Sequence, residues 1–306
     1  MRTSESLGIT EDNLPALFRA ADSASMKAQR QYSRLTAADL GFLVLAAILG
    51  SVALSDAQAR GHMAMASAGV LAISIIVTWI IRTARFGEAW YDGRAVAESV
   101  KSLTWRYMTC TEPYSHSLAP NSVDQRFLDD LKSVLTERPE VYSRVGGRLA
   151  SEPQITKRMR ELRRLNTDGR KDAYLSYRVC AQREWYGTKS EANRRSSDRL
   201  YWSMIAAQVL ALISAIALVR WPESTTNPIV VFVALGAAFL AWLQFRRHQE
   251  LAQSYGLTAQ ELGLAYEQGG HVRTAEQLSE FVSDSENAIS REHTLWLARR
   301  DRRHGQ

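Results

Sequence analysis

The chain has 306 residues, of which 46% are hydrophobic and 23% charged, and its formal net charge is +6. Read only in bulk, these values would suit a large soluble protein, but the charges are distributed unevenly along the chain. The excess of positive charge lies beside apolar segments, where membrane topology and anionic headgroups account for it, so no nucleic-acid partner is expected.

Four segments carry almost no charge, at about residues 38–56, 62–81, 200–219 and 228–245. The last three match the roughly 20 residues that a helix needs to cross about 30 Å of hydrocarbon. The first is shorter, and we expect Asp39 near its start to reach back toward the headgroups. Helices that are apolar all round could instead lie in a protein core. The two close pairs, with flanking charges that agree in sense, favour transmembrane helices.

Lysine and arginine flank these segments at the ends that would lie on the same side of the membrane. They are Lys27, Arg30 and Arg34 before the first segment, Arg82 and Arg85 after the second, Arg194, Arg195 and Arg199 before the third, and Arg246 and Arg247 after the fourth. Because basic residues favour the cytoplasmic side, both termini and the central region are expected in the cytoplasm. The polar start of the chain does not resemble a secretory signal peptide.

The two halves of the chain look like repeats of one plan. The same number of residues separates Trp79 from Trp242, Gly93 from Gly256 and Glu98 from Glu261. Each half would have a cytosolic entry helix, a hairpin of two spans and an exit helix, so the fold class is an all-α membrane protein. The first unit would cover residues 10–165 and the second 166–300. Between about residues 109 and 168, prolines and glycines indicate short helices and loops.

The first exit helix, from about residue 90, has two different faces. Its apolar face should pack on another helix and holds Val96, Val100, Leu103 and Tyr107. A neighbouring stripe holds Trp90, Arg94, Glu98, Lys101 and Trp105. These charges are spaced to neutralise one another between two amphipathic rings suited to the headgroup region. The stripe is therefore either a stalk with a solvated charge ladder or part of a ligand or coupling site.

A matching stripe lies on the entry helix of the second unit, where Gly187 is a possible weak point. Its members, with one adjacent aromatic, are Tyr174, Arg178, Gln182, Trp185, Tyr186 and Lys189. Arginine could bind the phosphate of a nucleotide and an aromatic ring could stack on its base. The same residues could equally pack on another helix, and no glycine-rich phosphate loop accompanies them. Farther on, Leu278, Val282, Ile289 and Trp296 predict a last amphipathic helix.

Polar residues inside the spans are few and uncharged. Ser67, Ser74 and Thr78 share one face of the second span, and Gln208 lies in the third. They are candidates for lining a pore, although hydrogen bonding between helices is the commoner role of such residues. Because ion- and proton-coupled carriers usually need ionisable groups within the membrane, a pump or secondary transporter is disfavoured.

The motifs of common enzymes and metal sites are missing from the sequence. It contains no HExxH, P-loop, GxSxG or GxGxxG pattern, and its six histidines are scattered. Cys110 and Cys180 both fall in the predicted cytosolic part, where a structural disulfide is not expected. We therefore expect no catalytic site, no metal and no cofactor.

Long dispersed patterns resemble the SLATT family, the "SMODS and SLOG-associating two-transmembrane effector" domains of bacterial conflict systems. They are AADSASMKAQ at 20–29, WYDGRAVAESVKSLTWRYM at 90–108, QITKRMR at 154–160, YLSYRVCAQREWY at 174–186 and FVSDSENAISREHTLW at 281–296. The resemblance covers roughly residues 14–300 and indicates two SLATT domains in tandem.

The resemblance implies a membrane effector in the bacterial inner membrane that serves antiphage or related conflict systems. A nucleotide second messenger or a partner sensor protein would act on the cytosolic helices, and the hairpins of a homo-oligomer would then form a pore or disrupt the bilayer. The alternative is a non-conducting scaffold or sensor that is anchored in the membrane and recruits cytosolic partners.

Overall fold

The computed structural model describes residues 8–52, 56–139, 141 and 152–304, with side chains to residue 289. These residues form helices and connections, so the all-α prediction is confirmed. After a short 3-10 turn at Glu11–Asn13, the helices are α1 (Ala16–Ser51), α2 (Ala57–Thr83), α3 (Phe86–Thr109), α4 (Pro120–Thr136), α5 (Lys157–Arg163), α6 (Thr167–Tyr174), α7 (Ala181–Arg220), α8 (Pro228–Arg246), α9 (His248–Gly269) and α10 (Ala275–His304).

Four stretches of helix are long and apolar enough to cross a membrane. They lie within Ala16–Ser51, Ala57–Thr109, Thr167–Arg220 and Pro228–Gly269, and at most 11% of each apolar window is buried. A soluble protein would bury such surface in its core, whereas a lipid-facing helix keeps it outside. The chain is a multi-pass membrane protein with the four predicted spans.

The described residues fall into two compact units. We call the first the polar unit; it consists of the described parts of Met1–Gln29, Gly87–Lys189 and Ser254–Gln306. The second, the membrane unit, consists of the described parts of Arg30–Phe86 and Ser190–Gln253. The membrane unit contains the apolar hairpins, and the polar unit contains most of the candidate site residues.

In the membrane unit, hydrogen bonds fix how α1 lies against α2. The Ser67 hydroxyl donates to the carbonyl of Ala46 at 3.1 Å, and the Ser74 hydroxyl donates to Asp39 at 2.5 Å. The two contacts are separated by the same number of residues on each helix, as in a regular antiparallel pair. The connections of the two hairpins also meet, because the Asn227 amide donates to the Ser51 carbonyl at 3.0 Å.

The polar unit has a core to which α1, α3, α4, α5, α6, the N-terminal part of α7, α9 and α10 contribute. The predicted apolar face of α3 is confirmed, since Val96, Val100 and Tyr107 are buried and Leu103 packs against them. The predicted face of the last helix is confirmed at Leu278, Val282 and Ile289, which are buried in the same core. The side chain of Trp296 and part of the segment at about residues 109–168, predicted to form short helices and loops, lie outside the described residues.

Gly187, the possible weak point of the second unit's entry helix, does not break it. Gly187 lies inside α7 without interrupting it, and the helix runs on into the third span. The irregularity lies earlier, in the π-helical turn Leu175–Cys180 between α6 and α7. A π turn widens a helix locally and often occurs at functional positions. Here it carries Arg178, the most deeply buried cation of the predicted stripes.

We predict opposite effects of added side chains at two helical glycines. A Cβ on Gly93 would lie 3.2 Å from the carbonyl oxygen of Ala21 and 3.1 Å from the Cβ of Ser25, so α1 and α3 would have to separate. Gly93→Val should therefore lower the free energy of unfolding by about 1–3 kcal/mol through overpacking. Gly187 has open space around its Cβ position. Gly187→Ala should raise stability by about 0.5–1 kcal/mol through helix propensity.

The measurement for both glycine variants is thermal unfolding of the detergent-solubilised protein, followed by circular dichroism. Because Gly187→Ala is also a glycine replacement within a helix of the polar unit, it is the matched control. Equal stabilisation by the two substitutions would contradict the close approach of α1 and α3.

Candidate functional site

The charged stripe of α3 packs within the polar unit instead of forming a solvated ladder. One Arg94 nitrogen lies 2.6 Å from a Glu98 carboxylate oxygen, and another lies 3.4 Å from an Asp22 oxygen on α1. All three side chains are partly buried. The Arg94 guanidinium also lies 5.9 Å from the centroid of the Trp185 ring on α7. Arg94 thus joins three helices, and the solvated interpretation of the stripe is wrong.

The electrostatics of this cluster follow from burial and from its ion pairs. Burial raises the pKa of the Asp22 carboxyl, and Arg94 offsets only part of that rise. Burial would lower the pKa of Arg94, but the carboxylates of Glu98 and Asp22 outweigh it and raise the pKa. Nearby opposite charges favour the ionised form in this way. The guanidinium of Arg94 therefore stays charged where it faces the Trp185 ring.

Lys101 continues the stripe one turn farther along α3. Its ammonium lies 3.5 Å from a Glu11 carboxylate oxygen and 5.3 Å from the centroid of the Phe18 ring. Burial and the positive charge of Arg178 lower the pKa of Lys101. Lys101 thus ties α3 to the segment that precedes α1.

The two tryptophans that bracket the stripe differ in environment. Trp105 is only 1% exposed, and its ring makes an edge contact with Tyr174 at a centroid distance of 5.6 Å. Trp90 is partly exposed and stacks on Tyr91, and its carbonyl accepts a hydrogen bond from the Ser25 hydroxyl. Trp105 is therefore a core residue, so its expected place among headgroups is wrong.

The centre of the polar unit is a buried ion pair between the π turn and α10. Arg178 donates from Nε and Nη2 to the two carboxylate oxygens of Glu286, at 2.9 and 2.8 Å. The Tyr174 hydroxyl donates to Glu286 at 3.0 Å, and Arg178 also donates to the Gln182 side chain at 3.4 Å. Arg178 is 1% exposed and Glu286 is 0% exposed. The pair is bidentate, the strong geometry for arginine and carboxylate.

Burial alone would lower the pKa of Arg178, but the attraction of Glu286 outweighs it and raises the pKa. Burial, together with the negative charge of Glu286, raises the pKa of Tyr174. At neutral pH Arg178 is thus charged and Tyr174 is a neutral phenol. Arg178 and Gln182 were predicted as ligand candidates. Their side chains form hydrogen bonds within the protein core.

Sequence reasoning missed Glu286 as the partner of Arg178. A signal was present, because Val282, Glu286 and Ile289 lie on one face of α10 by helical spacing. A carboxylate on an otherwise buried face needs a cation from another helix. The identity of that cation depends on tertiary packing, which periodicity does not encode.

The exposed part of the second stripe is smaller than predicted. Trp185 is 37% exposed, and its ring contacts the rings of Tyr186 and Tyr255 at centroid distances of 5.1 and 5.5 Å. The Lys189 ammonium, one turn later on the exposed side, lies 5.9 Å from the Trp185 centroid. Tyr186 is buried beneath them. We name Trp185, Lys189 and Arg94 the Trp185 surface, an aromatic ring with cations from two helices.

The pore-lining candidates of the first hairpin bond to α1. Ser67 bonds to a backbone carbonyl, while Ser74 and Thr78 both donate to the same oxygen of Asp39, at 2.5 and 3.3 Å. These serines and this threonine therefore hold the hairpin together, the role favoured for them from sequence. Gln208 of α7 is exposed on the surface of its span.

Together, these features define a class of protein: a helical multi-pass membrane protein whose paired spans are connected along the chain to a polar helical unit. Comparison with models of known families places the chain within this class. Residues 15–171 match the model of SMODS and SLOG-associating 2TM effector domain 3, and residues 174–296 match that of SMODS and SLOG-associating 2TM effector domain 1. The chain therefore belongs to the SMODS and SLOG-associating two-transmembrane effector family, with two such domains in tandem.

The two matches meet between residues 171 and 174, within α6. Each covers one apolar hairpin, as the tandem prediction requires. Comparisons with curated proteins and with solved structures gave no match.

Proposed function

We propose that this protein is the membrane effector of a bacterial conflict or antiphage system. A cytosolic nucleotide signal or a partner sensor protein acts on the polar unit, and the hairpins of a homo-oligomer then form a pore or disrupt the bilayer. The observation that carries the proposal is the pair of effector-domain matches, each on one apolar hairpin. Domains of this family are associated with conflict systems.

The proposed setting is the bacterial inner membrane, with both termini and the central region in the cytoplasm. Its support is the basic residues at the ends of the spans, since lysine and arginine favour the cytoplasmic side. The outer connections are short, from Ser51 to Ala57 and from Arg220 to Pro228. They offer little surface for an external ligand, so the proposed input comes from the cytosol.

The proposed input site is the Trp185 surface. An indole ring stacks on any nucleobase, and lysine and arginine attract phosphate. Lys189 is exposed and close to the ring, and Arg94 keeps its charge through Glu98 and Asp22. The same surface suits an acidic segment of a sensor protein, which an indole and two cations would also bind.

A route from input to membrane lies in one continuous helix. The stretch Thr167–Arg220 carries Arg178, Trp185, Lys189 and the third span. A helix transmits rotation or displacement along its axis because its backbone hydrogen bonds resist bending. The π turn at Leu175–Cys180 is the point where this helix departs from α-helical geometry. We propose that a signal at Trp185 changes the packing of the third span through this helix.

Membrane integrity in bacterial cells tests the proposed function. The protein is expressed under an inducible promoter with its neighbouring genes, and membrane potential and dye entry are recorded with and without phage infection. The expected result is depolarisation and dye entry only in infected cells that express the protein. Intact membranes in every condition, with the protein in the membrane fraction, would overturn the effector proposal.

We predict that Trp185→Ala and Lys189→Ala weaken triggered depolarisation without loss of protein. Stacking on an aromatic ring contributes about 1–3 kcal/mol per base, so the signal concentration needed should rise by about 5-fold to 150-fold. Western blotting of the membrane fraction measures protein level beside the depolarisation assay. The stability cost of both changes should be small, because both side chains are exposed.

Matched controls exist for both input-site substitutions. Trp221→Ala removes an equally large exposed indole from the outer connection of the second hairpin, and Lys157→Ala removes a highly exposed lysine of α5. Both controls should depolarise like the wild type. Normal triggering in Trp185→Ala and Lys189→Ala would exclude the Trp185 surface as the input site.

A further inference from the structure

Gln208 carries an amide side chain in the middle of the third span. It lies eight residues after Leu200 and eleven before Val219, the predicted ends of that span. At 1.5 Å per residue, the nearer end is about 12 Å away along the helix. The glutamine side chain is too short to carry its amide over that distance to the headgroups. Gln208 therefore stays at the depth of the hydrocarbon, and the nearest charged residues along α7 are Arg199 and Arg220.

The serines more than one helical turn inside the described spans bond within the chain, whereas Gln208 does not. Ser67 and Ser74 donate to α1, and Ser51 and Ser214 donate to backbone carbonyls of their own helices. Gln208 is exposed at the surface of α7, and its amide forms no hydrogen bond with any described residue. An amide has two N–H donors and a carbonyl acceptor, and lipid tails offer partners for neither. Because unpaired polar groups are costly in hydrocarbon, a partner from another molecule is expected.

Gln208 lies at the centre of an exposed stripe along α7. Tyr201, Leu212 and Val219 stand at i−7, i+4 and i+11 from it, and their exposed fractions are 48%, 60% and 85%. We name these four residues the Gln208 stripe. Another face of the same helix packs on α8 through buried Ala207. The stripe is therefore the side of the third span that meets lipid or a second molecule.

A second copy of this chain fits the Gln208 stripe. Copies of one chain insert in the same orientation because the same flanking charges direct them, so their Gln208 residues lie at one depth. A twofold axis along the membrane normal brings the two stripes together, since a twofold interface uses the same patch of each copy. Each carboxamide can then donate to the oxygen of the other, and both amides have a partner.

We propose that the third spans of two copies pair through the Gln208 stripe, with reciprocal hydrogen bonds between the two Gln208 amides. The inference rests on the homo-oligomer of the proposed function and adds the surface at which it assembles. A single polar residue within an apolar helix seam fixes the register of a pair in this way. The amide needs its partner whether or not a signal is bound, so the pairing is present in the resting membrane.

Energy transfer between donor-labelled and acceptor-labelled copies of the full-length protein measures the pairing, in vesicles of phosphatidylethanolamine and phosphatidylglycerol at rising ratios of lipid to protein. Gln208→Leu nearly keeps the volume and removes the amide. Its dissociation constant should rise about 5-fold to 30-fold, the range expected for interhelical hydrogen bonds in membranes. Gln244→Leu is the matched control, because it removes an exposed glutamine at the predicted end of the fourth span. Its dissociation constant should match the wild type.

Cysteine cross-linking in isolated membranes locates the contact independently of its strength. In a Cys110→Ala and Cys180→Ala background, a short bifunctional thiol reagent should join Gln208→Cys to a second copy. Leu210→Cys is the control, since Leu210 is also exposed and lies at nearly the same depth but almost opposite on the helix. It should cross-link much less. The cysteine-free parent should associate like the wild type in the energy-transfer assay, which checks that it folds.

Three results would overturn the inference. The first is equal association of the wild type and Gln208→Leu, with cross-linking no stronger at position 208 than at 210, which leaves an oligomeric effector standing. The second is reaction of Gln208→Cys with a charged, water-soluble thiol reagent without cross-linking, which would place the residue in an aqueous pathway. The third is a wild type that stays monomeric at every ratio of lipid to protein. Depolarisation of infected cells decides the effector function separately.

Discussion

Replacing Arg178 with alanine should lower the free energy of unfolding of the polar unit by about 3–5 kcal/mol, the cost of leaving a buried partner charge unpaired. Glu286 accepts hydrogen bonds from two nitrogens of Arg178 and from the Tyr174 hydroxyl, and without Arg178 only the bond from Tyr174 would remain of these three. The Glu286 side chain is 0% exposed, so water could not replace the lost hydrogen bonds. Thermal unfolding in detergent, followed by tryptophan fluorescence, measures the loss.

The partner substitutions distinguish the ion pair from packing. Glu286→Gln should also destabilise strongly, because it leaves the Arg178 guanidinium without its counter-charge. The double variant Arg178→Met with Glu286→Leu fills similar volume without charge and should recover most of the stability. If the double variant lost as much as the sum of its own single variants, Arg178→Met and Glu286→Leu, the pair would not be coupled. A loss below about 1 kcal/mol for Arg178→Ala, the value of an exposed pair, would contradict its burial.

Trp105→Ala is expected to have the second large effect, a loss of about 3–5 kcal/mol through a cavity in the core. Its ring is buried beside Tyr174, which in turn makes an edge contact with Phe281 of α10 at 5.9 Å. The cavity would thus open at the contact of α3, α6 and α10. Limited proteolysis of the polar unit, with the unfolding midpoint in detergent, measures the change.

Trp185→Ala is the matched comparison because it removes the same side chain from the partly exposed surface of α7. Its stability loss should be much smaller than that of Trp105→Ala, near the ordinary level of about 1 kcal/mol for a surface change. Trp105→Ala should therefore reduce the amount of folded protein, whereas Trp185→Ala should reduce only the response to infection. Equal stability losses would mean that Trp185 is a core residue and would remove the basis of the proposed input site.

The contrast between these tryptophans illustrates how far sequence reasoning reaches. Both stand on amphipathic stripes at helical spacing, and spacing alone left a ligand role open for both. The difference arises because Tyr174 covers Trp105, while Trp185 lies beside exposed Lys189. Tryptophans on similar amphipathic stripes can thus differ fully in solvent contact. Which helix packs on a stripe is a property of the tertiary fold.

Asp39 gives a second example. From the sequence, Asp39 is expected to reach back toward the headgroups from the start of the first, shorter span. In the hairpin it bonds to Ser74 and Thr78, two residues that the sequence identified for a different reason. The polar groups of the span were therefore found, but their pairing depended on the register of α1 against α2.

The sequence by itself determined the four spans, the helical class, the two-domain plan and the buried faces of α3 and α10. These depend on local quantities, the length of uncharged runs and the period of apolar residues, which a single chain displays directly. Only the tertiary structure decided that Arg178 pairs with Glu286, that Arg94 reaches Trp185, and that the irregular turn precedes α7. Those contacts join segments far apart in the chain, and their energies depend on burial and geometry that folding alone establishes.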